Sequence, residues 1–230
     1  MLDAPPLEAA RDGRPDRRLE TRPETGAVPF ALEEVFFSRT DARGVIAAGN
    51  FVFQRVSGFE WDDLIGAPHR IIRHEDMPKG VFWLLWETIK SGQPIGAYVK
   101  NKAKDGLYYW VFASVVPCEG GYLSARIKPT SAFFEAVQQE YAALLAMEAA
   151  EGLSPAESGA RLLTRIGELG FENYQHFEAY ALAEELQARQ TGLGKGDLDG
   201  ISAFRGMIDQ ANALREATER LVQGFQEVHI

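Results

Sequence analysis

The chain reads as an α+β protein in two parts, with strands and short helices up to about residue 130 and helices alone beyond it. Three observations predict this. Between Phe30 and Lys128, short runs rich in β-branched and aromatic residues alternate with glycine-marked turns, the pattern of small antiparallel strands. After Pro129-Thr130-Ser131 apolar residues recur at steps of three and four instead, the period of helices that bury one face. Within the first of these regimes lies Arg73-His74-Glu75-Asp76-Met77-Pro78-Lys79, followed by the aromatic run Phe82-Trp83-Leu84-Leu85-Trp86. It gathers charge and hydrogen-bond donors at a helix start, where a planar or anionic group can be held.

The elements follow in order. Residues 1–27 carry Pro5, Pro6, Pro15 and Pro23 among mixed charges and few large apolar side chains, too little to offset the entropy of ordering, so a flexible tail is expected. Residues 35–40 read as a strand, Asp41-Ala42-Arg43-Gly44 as its turn and residues 45–48 as the return strand. Residues 50–56 form a short helix ended by Ser57-Gly58, and residues 62–66 a single turn closed by glycine. Pro78 suits a first helical position. Phe82, Leu85, Trp86 and Ile89 then fall at i, i+3, i+4 and i+7 as a buried stripe, with Trp83 off it and Ser91-Gly92 ending the helix. Aromatic residues at that spacing fit a core as well as a ligand wall. Residues 95–101 and 107–116 read as strands joined through Lys104-Asp105-Gly106, and residues 121–128 as a last strand after Glu119-Gly120.

In the second part, residues 132–150 are helical, and Ser154-Pro155-Ala156-Glu157 is a capping box opening a helix to about Leu169. Another helix spans residues 172–190. Thr191-Gly192-Leu193-Gly194-Lys195-Gly196 reads as a turn, since its glycines lack phosphate-loop spacing and follow no strand. From about Leu198 the chain carries Ile201, Phe204, Ile208, Ala211, Leu214, Thr218, Leu221, Phe225 and Val228 as a seam for another helix. Two readings of that seam stand: a second copy of the chain, or three helices folded back on one another. The chain stops at Ile230 without a C-cap signal, as a piece of a longer protein does.

Composition excludes several functions. A net charge of −9 without a basic stripe argues against nucleic acid or an anionic membrane as partner. Cys118 is the single cysteine, which rules out an internal disulfide and a cysteine-based zinc site. No run of 18 apolar residues and no signal-like N-terminus are present, so a cytoplasmic protein is expected.

A set of segments carries a family resemblance. They are Phe51-Val52-Phe53-Gln54-Arg55-Val56-Ser57-Gly58-Phe59, Gly66-Ala67-Pro68-His69, residues 73–79, Val99-Lys100-Asn101-Lys102, Lys104-Asp105-Gly106 with Tyr109-Trp110-Val111, and Gly121-Tyr122-Leu123-Ser124. The region of about residues 30–130 resembles a PAS domain, most of all the flavin-binding sensor of bacterial aerotaxis receptors. The resemblance implies a five-stranded antiparallel sheet with short helices on one face, enclosing FAD. It implies cofactor-binding roles for Asn50, Arg73, His74, Asp76, Trp86 and Asn101. Trp86 suits a ring face, Asn50 and Asn101 a polar ring edge, Arg73 and His74 a pyrophosphate or anionic edge. The chain departs from the family at Ile95, where an aromatic residue is usual, and at Ala103, where a basic one is.

Three domains are thus expected: a tail over residues 1–27, a PAS sensor over 28–130 and a helical transmission or dimerisation segment over 131–230. The functional expectation is a non-enzymatic cytoplasmic redox or oxygen sensor, an FAD-binding homodimer reporting through its helices to a chemotaxis-type or other signalling partner. The alternatives are a cofactor-free PAS module for dimerisation or protein interaction, and a haem or small-metabolite sensor that would turn on His69 or His74. Blue-light adduct chemistry is not expected, because Cys118 lies near the end of the fourth strand.

Overall fold

The computed structural model describes residues 22–194. Five strands, β1 (Val35–Asp41), β2 (Ile46–Gly49), β3 (Ile95–Lys102), β4 (Tyr108–Cys118) and β5 (Gly121–Ile127), form one antiparallel sheet in the order β2-β1-β5-β4-β3. Between β2 and β3 come α1 (Phe51–Ser57), α2 (Trp61–Leu64), a 3₁₀ turn (His69–Ile72) and α3 (Lys79–Lys90). The expected α+β PAS architecture is therefore present, with α4 (Ala132–Glu151), α5 (Pro155–Glu168) and α6 (Tyr174–Leu193) as the helical part. The expected seam from Leu198 onward, and most of the expected tail, lie outside the described residues.

Strand alternation assigns each side chain to a face. Val99, Asn101, Ala113, Val115, Tyr122, Ser124 and Arg126 point toward α3 and line a cavity. Tyr98, Trp110 and Phe112 point the other way, where Phe134 and Tyr141 of α4 cover Tyr98 and Trp110 with ring centroids 5.2 to 6.4 Å apart and Phe112 packs on Tyr98 at 5.0 Å. The sheet thus has a ligand-sized space on one face and an aromatic core shared with the C-terminal helices on the other.

The turn glycines do what the sequence asks of them. Gly44 and Gly106 adopt φ of 79° and 89° at the two expected hairpin turns, a region that costs only glycine little. Gly44 also lies under the indole of Trp86; a Cβ there would stand 2.7 Å from Cη2 of that ring.

Several local expectations are corrected. Pro78, at φ −56° and ψ 138°, is the N-cap of α3, so the helix begins at Lys79. Of the stripe on α3 only Ile89 is fully buried, and Phe82, Leu85 and Trp86 are half-buried because they face the cavity rather than a filled core. Trp83, off the stripe, packs against Gly159 of α5. Thr191 to Leu193 continue α6 and are not a turn; just before them the buried Arg189 donates to the Leu32 carbonyl. Within the expected tail, Arg22 is tied down by Asp105 and by the Arg55 and Val56 carbonyls, and Ala27 bridges to Tyr108.

The helical part is locked to the sheet by Glu185. Its side chain is fully buried and accepts from Tyr98 Oη at 2.8 Å, Ser131 Oγ at 2.5 Å and the Thr130 and Ser131 amides at 2.7 and 3.2 Å. Four donors around one carboxylate satisfy it without a cation. Replacing Glu185 with Ala strands these donors, and we expect it to lower the unfolding free energy by about 3 kcal/mol. Glu185→Gln, which keeps an acceptor, should lose clearly less; urea denaturation of both variants checks the difference.

Candidate functional site

The space between α3 and the sheet is a cavity of about 330 Å³, within the range of small-molecule sites. One wall is apolar: Ile72, Phe82, Leu85, Trp86 and Ile89, faced across the gap by Val99, Ala113 and Val115. Trp86 is steadied by an edge contact with Tyr122, centroids 5.7 Å apart. Such a slot suits a flat, partly apolar ring system.

Its polar end is unusual. Asn101 Nδ2, Ser124 Oγ and Arg126 Nη1 are all buried, and none has a hydrogen-bond partner among the described residues. All three residues line the same cavity. Buried polar atoms are rarely left unpaired, because each costs about 1–3 kcal/mol, so three together mark where a ligand's acceptors belong. Tyr109 Oη is also unpaired, on the same face of β4.

Arg126 is the centre of this end. Its Nη2 donates to Ser38 Oγ at 2.8 Å and contacts His69 Nε2 at 2.7 Å. A guanidinium has only donors, so His69 must accept at Nε2 and be neutral, with its proton on Nδ1. Burial, with the repulsion of Arg126, pushes the His69 imidazole down to about 3, which agrees. Burial also lowers Arg126 to about 10, still charged at neutral pH. Among the described residues no aspartate or glutamate lines the cavity, whereas Arg43, Arg70, Arg73 and Arg126 do. In a chain of net charge −9, this concentrates positive potential where an anion can reach it.

The six residues expected from the sequence divide evenly. Arg73, Trp86 and Asn101 line the cavity. Arg73 lies over the Phe82 ring at 4.0 Å and bridges to Asn101 through the backbone. Asn50, His74 and Asp76 are engaged outside the lining. Asn50 is the N-cap of α1, accepting from Phe53 and Phe37 amides and donating to the Val35 carbonyl. His74 Nδ1 accepts from the Asp76 amide at 3.0 Å, and burial followed by Lys100 lowers its pKa. Asp76 pairs with Lys100 at 2.5 Å. These three build the frame around the site.

Sequence reading missed Arg126, His69 as its holder, Ser124, and the rim arginines Arg43 and Arg70. The available signal was strand alternation: Tyr122, Ser124 and Arg126 share a face of β5, and a charged residue inside an apolar sheet face is itself informative. Cys118 is exposed and is not in the lining. Among the described residues no group of three or more His, Cys, Asp or Glu side chains could hold a metal ion, and no helix is long and apolar enough to cross a membrane.

Residues 50–122 match the family model described as PAS fold. Over 121 residues the chain is 41% identical to the aerotaxis receptor of Escherichia coli (strain K12), covering 50% of this chain and 24% of that one. It is 30% identical over 83 residues to a nitrogen fixation regulatory protein of Klebsiella pneumoniae, covering 36% of this chain and 17% of the relative. The chain therefore spans about a quarter or less of the length of these curated relatives. Solved structures that align with it include the light state of the blue-light photoreceptor Aureochrome1 LOV, at TM-score 0.37 and 22% identity over 49% of this chain and 88% of the other. A PAS domain from Colwellia psychrerythraea aligns at TM-score 0.36 and 21% identity, over 42% and 86%. Sheet order and family match agree: this chain contains a PAS fold, over a region similar in sequence to the aerotaxis receptor.

Proposed function

We propose that the cavity binds FAD and that the chain is a redox or oxygen sensor, not an enzyme, reporting to a signalling partner. The observation that carries this is the set of three unpaired buried donors, Asn101 Nδ2, Ser124 Oγ and Arg126 Nη1, at one end of an apolar slot. The edge of an isoalloxazine ring offers adjacent carbonyl and ring-nitrogen acceptors for such donors, and its faces suit Trp86 and the aliphatic wall. Arg43, Arg70 and Arg73 suit the pyrophosphate of a dinucleotide. Asn50, His74 and Asp76 contribute by holding α1 and the approach to α3.

Bound flavin supplies two-electron and one-electron redox chemistry with a change of charge at the ring edge. Arg126 and Asn101 stand where that change is felt. A haem reading is disfavoured by His69, whose Nε2 lone pair is taken by Arg126, and by His74, which lies outside the lining. The resemblance to an aerotaxis receptor supports a chemotaxis-type partner, a homodimeric assembly and a cytoplasmic setting as parts of the same proposal.

The absorption spectrum of the purified protein, with chromatography of the heat-released chromophore, checks the cofactor, and FAD is expected. Asn101→Leu and Arg126→Met should each weaken FAD binding at least about tenfold. Undiminished flavin content in both variants, or a protein that stays colourless after incubation with FAD, would refute the reading.

The neutral imidazole that holds Arg126 gives a second check. His69 titrates at about 3 in the fold against 6.5 for the ordinary group, so below pH 6.5 the unfolded chain binds a proton that the native one does not. Stability from this residue is complete above about pH 6.5 and falls as pH drops toward 3, by at most ~1.4 kcal/mol per pH unit. Urea midpoints at pH 7 and pH 5 should therefore differ more for the wild type than for His69→Gln; equal differences would mean that the imidazole is protonated in the fold.

A further inference from the structure

The two walls of the cavity are α3 and the sheet, and the sheet's edge strand beside α3 is β3. The helical part grips both. On the α3 side, Glu148 of α4 is 3% exposed and takes a 2.5 Å hydrogen bond from Ser158 Oγ of α5. The Gly80 amide, in the first turn of α3, donates to Glu148 Oε1 at 3.3 Å and to Ser158 Oγ at 3.2 Å. A carboxylate is thereby placed at the positive end of the helix whose next turns carry Phe82, Leu85 and Trp86 into the cavity.

On the β3 side, Glu178 of α6 accepts from the Gly96 amide at 2.7 Å, and Tyr174 Oη donates to the Gly96 carbonyl at 2.8 Å. Tyr98, two residues on, is held by Glu185. The same strand then delivers Val99 and Asn101 to the cavity.

The α3 attachment has no cushion. A Cβ on Gly80 would lie 2.5 Å from the Ser158 carbonyl carbon, and one on Gly159 would lie 2.2 Å from Cε3 of Trp83. The two helices meet with backbone against backbone and backbone against ring, so α3 cannot shift toward α5 without displacing it. Packed interfaces of this kind switch between arrangements rather than compress.

We infer that α4–α6 form a clamp across the two cavity walls, joined to α3 through Glu148 and Ser158 and to β3 through Glu178 and Glu185, and that the clamp reads the state of the cavity. This inference rests on the flavin reading of that cavity. Any change in the separation of α3 and β3 must be taken up at one of the clamp's attachments. By linkage, a clamp loosened at α5 changes cofactor affinity by the same factor that the cofactor changes clamp docking. Arg73 adds a direct electrical link, since it lines the cavity and feels the Glu148 carboxylate.

Hydrogen exchange of the full chain, with and without FAD, tests this, with uptake read separately from the absorbance of the loaded protein. FAD should slow exchange at the start of α5 and in α6 by at least about fivefold. Gly159→Ala, which drives a methyl into Trp83, and the milder Ser158→Ala should both lose that response and bind FAD at least about threefold more weakly. A coloured protein whose α5 and α6 exchange is unmoved by FAD overturns the clamp and leaves the flavin reading intact. A protein that takes up no FAD overturns both.

Discussion

A guanidinium enclosed without a carboxylate is the constraint around which this PAS domain is arranged. Arg126 keeps its charge inside the cavity, and a buried cation is tolerable only when its hydrogen bonds are met. The protein meets part of the need, with Ser38 from β1 and a neutral His69 from the 3₁₀ turn. It leaves Nη1 facing the space beside Asn101 and Ser124. Three separate stretches of chain are therefore fixed in place by one side chain, and the part of its requirement that the protein leaves open defines what the ligand must offer. Around it the apolar wall supplies affinity without direction, while the polar end supplies orientation.

The remaining frame follows from the need to keep that space open. Residues that a sequence pattern assigns to ligand contact can serve equally by holding backbone in position. Asn50 spends its amide on three backbone partners that join α1 to β1, and Asp76 spends its charge on Lys100 of β3. Neither lines the cavity in this arrangement. They stand beside the site, while Arg73, Trp86 and Asn101 are the members of the expected set that reach the lining.

Local rules made much of the fold legible in the sequence. The Gly44 and Gly106 turns, the capping box at Ser154 and Glu157, and the helix closed by Gly58 are short-range features, each determined by a few neighbouring residues. Long-range features were not legible. Arg126 lies 57 residues from His69 and 88 from Ser38, and no local periodicity announces such a triangle. The half-burial of Phe82, Leu85 and Trp86 was missed for a related reason: helical spacing identifies the inward face but not whether the space inside is filled. The carboxylates Glu148 and Glu185 look in sequence like solvated positions on helices, and only the donors brought to them by α3, β3 and the start of α4 explain their burial.

Gly44 carries two requirements at one atom. Its positive φ closes the first hairpin, and its missing side chain leaves the place taken by the Trp86 indole. The first hairpin turn of the sheet is therefore also the sill on which the cavity's aromatic wall rests. Turn geometry and ring placement cannot drift independently: a chain that relaxed the hairpin to admit another residue would have to move its tryptophan as well, so the two features must be inherited or lost as a pair.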